Sequence, residues 1–304
     1  MKKFLFSLCA FFLLLTGIGC EKVIEFTGEQ TEPRLTLSSQ AEAGEPLEAF
    51  IASSVFFLSA SHYGTEFVDN LDPQRGKVRC YVNGATTPLL LEYIPEEQAT
   101  SLHYRASDYV PAPGDHIRLE AEFPGFDPVW AETSVPLVPA CEVVAVKNVS
   151  EAVEVTLALT DDAACDNYYF LQPLRERWEP YMEENVIWAV NFWSNDVIFR
   201  ERGGSSAMDA FEEDADNYFS DGLIKGQRHV FVITVPVPRD EEVRLLIHLA
   251  AVDESLYWYG RSYNQLMESD WTGFFSEGVT LYSNVHGGYG VFGSAASRWL
   301  EVDW

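Results

Sequence analysis

Apolar and polar side chains along this sequence divide it into a short apolar leader and a long body dominated by two-residue alternation. Val78, Cys80 and Val82 share one face of the run Lys77–Val82, which meets Asn83-Gly84. An Asn-Gly pair after an alternating run signals a tight hairpin, and Leu89, Leu91 and Tyr93 begin the predicted return strand. Ile117, Leu119 and Ala121 alternate again before Pro124-Gly125, and Val129, Ala131, Thr133 and Val135 alternate after it. A period of two puts these residues on one face of a strand, and several such strands with no helical period between them predict a β-sandwich. Val135-Pro136-Leu137-Val138-Pro139 reads as an extended crossing, because proline fixes φ and disfavours helix at the residue before it.

Beyond the crossing, Val153, Val155, Leu157 and Leu159 alternate against polar or small neighbours, and residues 168–174, 186–192, 229–235 and 243–252 are further predicted strands. One stretch changes period. Leu256, Tyr259, Tyr263 and Leu266 recur at helical spacing behind Asp253, Glu254 and Ser255, which offer a cap and first-turn acid. The expected fold is mainly all-β. An N-terminal immunoglobulin-like or transthyretin-like sandwich spans 34–138, and a second antiparallel β domain with one short helix spans 139–304.

Near the end, a strand-like run over 279–285 leads into Asn284, His286 and the glycines Gly287, Gly288, Gly290 and Gly293. Glycine at this density implies positive φ or close approach of another group. Gly288, Gly290 and Gly293 also match G-x-G-x-x-G, the phosphate-binding turn of dinucleotide folds. That turn needs a long helix and a second parallel strand after it. Too few residues follow Gly293 for either, so the motif is read as a structural crossing that docks the C-terminus onto the second domain.

The leader has Lys2 and Lys3, then a nearly unbroken apolar run from Phe4 to Leu15, then small residues up to Cys20. The run is too short to span a bilayer and is placed as a signal peptide over 1–19. A cysteine directly after it has the form of a bacterial lipobox, with Gly17 where leucine is usual. Cys20 is therefore the expected lipidation site, and residues 20–33 are a polar tether between anchor and folded unit.

Composition narrows the partners. The net charge is −27, which disfavours nucleic acid and anionic membrane surfaces. Residues 203–224 hold no basic side chain; within them Asp214 and Asp216 are weak calcium candidates, although the spacing is not that of an EF-hand loop. Of the cysteines, Cys141 and Cys165 are the expected pair if an oxidising envelope forms one disulfide, while Cys80, in its alternating strand, reads as a small buried hydrophobe. No catalytic signature of the G-x-S-x-G, H-E-x-x-H or P-loop type occurs, and none implies a cofactor. Among the scattered histidines, His286 stands out by its place among the glycines. Tyr289 and the helical stripe around Trp258 are the remaining candidate ligand contacts, the stripe as a sugar-stacking platform.

Several segments together carry a family resemblance: the lipobox-like start, Phe219-Ser220-Asp221-Gly222-Leu223-Ile224-Lys225-Gly226, Ser262-Tyr263-Asn264-Gln265-Leu266, Phe274-Phe275-Ser276-Glu277, and above all Tyr282 through Gly293. The chain resembles the Bacteroidetes outer-membrane lipoproteins of domain-of-unknown-function family 4249. The resemblance implies a lipid-anchored outer-membrane protein accessory to a TonB-dependent transporter, and it brings no catalytic residues with it. The expected function is non-enzymatic capture or uptake of a nutrient; an envelope glycan hydrolase drawing carboxylates from 203–224, or a structural or adhesive surface protein, are the alternatives.

Overall fold

The computed structural model describes residues 32–54, 67–68, 70–97, 99–199, 217–238, 243–272 and 280–304. The leader, Cys20 and the tether up to residue 31, His62, the segment 200–216 with Asp214 and Asp216, and residues 273–279 lie outside the described residues.

The chain is built of short strands with one helix. The first eight strands are β1 (Leu35–Glu42), β2 (Glu48–Ser53), β3 (Lys77–Val82), β4 (Leu89–Leu90), β5 (Glu92–Ile94), β6 (Leu102–Arg105), β7 (His116–Glu122) and β8 (Val129–Ser134). After the proline crossing come β9 (Ala140–Val149), β10 (Ala152–Thr160), β11 (Tyr168–Glu179), β12 (Glu184–Ala189), β13 (Tyr218–Ser220), β14 (Arg228–Pro236) and β15 (Arg244–Val252). The helix α1 (Glu254–Thr272) and the last strand, β16 (Tyr289–Val302), complete the order. The main elements are thus those expected of an all-β protein carrying one helix, although at 19 residues the helix is longer than its apolar spacing predicted.

Alternation sets which side chains are buried. Val153, Val155, Leu157 and Leu159 on β10, and Ile117, Leu119 and Ala121 on β7, all point inward and are fully or almost fully buried. The Asn83-Gly84 turn has both residues left-handed, at φ 52° and 73°, with Ala85 N–H donating to Val82 O at 3.0 Å. Its return strand is split. β4 pairs with β3, the chain breaks at Leu91, and β5 crosses to pair with β6 in another sheet. The break lets Leu91 bury its side chain while its N–H still reaches Val78 O at 3.0 Å.

Three sheets result: a nine-stranded one in the order β12-β11-β15-β16-β1-β2-β6-β5 with β13 also on β11, a three-stranded β14-β10-β9, and a four-stranded β4-β3-β7-β8. One apolar core joins residues of β1, β2, β6, β3, β7 and β8 with Val285 and Phe292. A second joins β10 and β14 with β11, β15 and Val302. The small sheets therefore cover different parts of the large one, and the large sheet is continuous behind both cores.

That continuity depends on β16. Its first half pairs in parallel with β1, from Thr36↔Tyr289 to Glu42↔Ala295. Its second half pairs antiparallel with β15, from Val252↔Ala295 to Leu245↔Val302. The sheet is consequently mixed rather than purely antiparallel. Val291 to Ala296 are buried throughout, as expected for a strand covered on both faces. The sequence pattern placed a strand before the glycines, over 279–285, and only a short closing segment after them. Among the described residues 280–285 hold no strand, and the long strand begins at Tyr289, after Gly288. Glycines within it had the look of punctuation, because in a strand they normally mark a break.

Cys141 and Cys165 are free thiols, not a disulfide. Cys141 points into the second core from β9, opposite Leu159, whereas Cys165 lies in an exposed turn with its thiol on Asn167 Oδ1 at 3.3 Å. Burial raises the Cys80 thiol to about 12 and that of Cys141 to about 11, so both behave as apolar side chains.

Candidate functional site

The glycine motif builds a junction between strands. Gly290 has φ 113°, and a Cβ there would come within 2.1 Å of Leu37 O on β1. At Gly288 an added Cβ would meet Leu35 O at 2.2 Å. Further along β16, Gly293 admits the first turn of α1, since a Cβ would lie 2.7 Å from Leu256 Cβ. Each position thus marks backbone approached too closely for a side chain. The motif closes on β1 and the first core as well as on the second unit that the sequence assigned it to.

Asn284 ties the approach segment to the strand. Its amide donates to Phe292 O at 2.8 Å and to Ser255 Oγ at 3.0 Å, and Phe292 N–H donates to Asn284 Oδ1 at 2.9 Å. Below it lies a buried polar cluster. Asp253 Oδ1 caps α1 by accepting Leu256 N–H at 3.0 Å and also accepts Ser294 N–H at 3.0 Å. Thr133 Oγ1 lies 2.9 Å from Asp253 Oδ2 and 2.8 Å from Ser294 Oγ, and Ser294 Oγ donates to Ser134 O at 2.8 Å. Burial pushes the Asp253 carboxyl above its ordinary value, against the pull of hydrogen bonds from Ser294, Leu256, Thr133 and Ser255. β8, β16 and α1 are fastened together here by hydrogen bonds among Thr133, Ser294 and Asp253.

The predicted ligand contacts are separate. His286 stacks on Trp130 with ring centres 3.9 Å apart, and the two exchange backbone hydrogen bonds of 2.8 and 3.2 Å. Arg118 also lies over the Trp130 ring, at 3.9 Å. Tyr289 begins β16 with Arg34 5.8 Å from its ring centre. Trp258, 43% exposed, points its indole N–H at Glu254 one turn back, at 3.3 Å. Tyr257, by contrast, is buried against Tyr168 and Tyr218. Of the stripe read at helical spacing, Tyr259 and Tyr263 stack on each other and Tyr263 is exposed. Gly260 decides the rotation: the helix lies so near Tyr218 that a Cβ would meet its ring at 2.2 Å.

No group of three or more His, Cys, Asp or Glu side chains able to hold a metal occurs among the described residues. Of the acidic stretch 203–224, Asp221 is described; it is buried and accepts the Asn167 N–H at 3.0 Å. His103 lies beside Glu96, His229 beside Asp196 and His248 beside Ser297, each with a different partner. No described helix is long and apolar enough to cross a membrane.

A groove missed by sequence reasoning lies where β11, β12 and the start of β15 meet Trp304. It has a volume of about 440 Å³, and Glu176, Arg177, Trp178, Asn185, Val243, Arg244 and Trp304 line it. Trp178 faces Asn185 across the β11–β12 ladder, and Glu176 faces Arg244 across β11–β15. Arg244 is bonded to Glu176, and its Nε and Nη2 reach Glu301 Oε1 at 3.1 and 3.0 Å. The hairpin continues past the groove to a tip where Tyr181 is 98% exposed, with Met182 also exposed. The signal available in the sequence was Trp178 and Trp188 in a run otherwise rich in charge, which alternation alone assigns to an ordinary strand.

A family model described as a domain of unknown function, DUF4249, matches residues 21–299. A comparison with curated proteins finds no match. Among solved structures, the Fcho1 Mu homology domain of Danio rerio with bound Eps15 peptide aligns over 88% of this chain and 95% of its own, at 7% identity and a TM-score of 0.19. A likeness that slight transfers neither a fold nor a role.

Proposed function

The chain belongs to the DUF4249 family, and on that premise we propose that it is a non-enzymatic lipoprotein of a Bacteroidetes outer membrane, partnering a TonB-dependent transporter in nutrient capture. The observation that carries the reading is the leader: paired lysines, the apolar run from Phe4 to Leu15, small residues and Cys20, placed directly before the family region. Acyl chains on Cys20 contribute ~0.8 kcal/mol for each buried methylene, so more than one chain holds the protein on a bilayer without a spanning helix. The exposed aromatic and apolar side chains of the β11–β12 hairpin, among them Trp178, Tyr181, Met182 and Ile187, support a binding role, because exposed apolar surface at such density marks a contact site.

Two measurements test this. Radiolabelled palmitate is incorporated into the wild type and not into Cys20→Ser, and the variant leaves the membrane fraction. Affinity purification from detergent-solubilised outer membrane recovers a TonB-dependent transporter; recovery of none, under conditions that keep known lipoprotein–transporter pairs together, ends the partnership reading.

A further inference from the structure

We propose that the groove between β11, β12, β15 and Trp304 is a binding site for a neutral oligosaccharide. Its walls combine two indoles with hydrogen-bonding groups of fixed position. Trp178 is 55% exposed and Trp304 is 37% exposed, although indole surface at that exposure is better removed from water. The flat face of an indole suits the C–H face of a pyranose ring, and its N–H adds a donor at the rim. Directly across the ladder from Trp178, Asn185 supplies an amide that can donate and accept, matching the paired character of vicinal hydroxyls. Neither indole N–H, nor the Asn185 amide, has a protein partner among the described residues.

Charge selects the ligand class. Arg244 is held by carboxylates on both sides, Glu176 from β11 and Glu301 from β16, and the groove's second cation, Arg177, is paired with Glu179. A guanidinium so neutralised does not attract an anion, but of its five N–H groups two are left to donate. The protein as a whole, at −27, further repels acidic glycans and phosphates. A groove with paired charges, an amide and two indoles therefore favours a polyhydroxylated, uncharged ligand. A peptide is the weaker fit, because one added along the free edge of β12 would satisfy backbone groups without reaching Arg244 or Trp304.

Trp178, Asn185 and Arg244 sit on paired strands, which fixes that wall of the groove before any ligand arrives; Trp304, two residues past the end of β16, forms the other. Its volume of about 440 Å³ falls in the range of small-ligand sites. Binding here requires no transporter, so it stands or falls apart from the partnership.

The test uses the full-length lipoprotein purified in detergent, titrated by calorimetry and by tryptophan fluorescence with neutral glucan, xylan, mannan and chitin oligosaccharides. At least one of these is expected to bind saturably and to change the fluorescence. Trp178→Ala, Trp304→Ala and Arg244→Ala each weaken that binding by about tenfold or more, the loss of one good stacking or hydrogen-bonding contact. Trp178→Tyr retains part of it, and Leu90→Ala, at an exposed position on β4 in another sheet, leaves it unchanged. Thermal melting of each variant confirms that a lost affinity is not lost folding. Absence of binding across the whole panel, binding that survives both tryptophan substitutions, or binding of acidic glycans or peptides alone overturns the assignment.

Discussion

Asp253 shows how much one partly buried carboxylate can organise. It caps α1, holds Ser294 of β16 and meets Thr133 of β8. Asp253→Ala removes a helix cap and strands buried donors, at a cost of about 2–4 kcal/mol, which chemical denaturation will read. Asp253→Asn keeps the cap oxygen and lets Thr133 turn its hydroxyl to Ser294, so its cost is smaller. The two also separate in pH dependence. Burial raises the Asp253 carboxyl in the folded state. A raised value contributes stability below the unfolded pKa, and the contribution is lost as pH rises through the folded one. The melting temperature of the wild type relative to Asp253→Asn therefore falls as pH rises above the ordinary carboxylate range; a constant difference contradicts the raised value. Asp115 has the opposite sign. Burial pushes its carboxyl up, but hydrogen bonds from Asn83, Ala112 and Tyr109 outweigh that and leave it lowered, so its contribution is present above the ordinary carboxylate pKa and fades in acid. At Gly288 the constraint is steric. Gly288→Val drives a side chain into Leu35 O and Val129, and the expected result is loss of folded, membrane-associated protein on a blot of the membrane fraction.

At the level of elements, strands buried on one face were legible and those carrying glycine were not. β3, β7, β8, β10, β14 and β15 follow from alternation because each has one face on a core. β16 does not alternate: its middle is covered by the first core on one side and α1 on the other, so small residues replace the pattern. For the helix, the capping residues gave the start, but the packed face was not legible, since it is Gly260 that marks closest approach. The groove escaped notice for a different reason: Trp178, Arg244 and Trp304 are far apart in sequence and meet only through the β11–β15 pairing and the path of the chain after β16. Tyr257 offers a check on the helix face. Tyr257→Ala removes the buried ring between Tyr168 and Tyr218 and costs about 3–5 kcal/mol, whereas Tyr263→Ala, on the exposed face, stays within about 0.5 kcal/mol; comparable costs contradict the orientation.

Over the whole molecule, two cores share one sheet, and the strand that joins them is bonded to β1 along one edge and β15 along the other. Separate sandwiches on a linker would unfold as separate transitions. Here Leu157→Ala in the second core and Phe292→Ala in the first are expected to lower the same single calorimetric peak, each by the ~2–5 kcal/mol of a large core truncation. Two resolved peaks, one moved by each variant, refute the coupling. The same pairing orders events during synthesis. β1 is the earliest of the described strands, yet the neighbour it needs on that edge is β16, made after all the others described. Loop closure over nearly the whole folded unit is slow, so neither sandwich can be finished until the final strand has been released. The nascent chain stays open until then, and a product cut short before the glycines keeps an uncovered edge on β1 and another on β15, the kind of surface that chaperones and proteases remove.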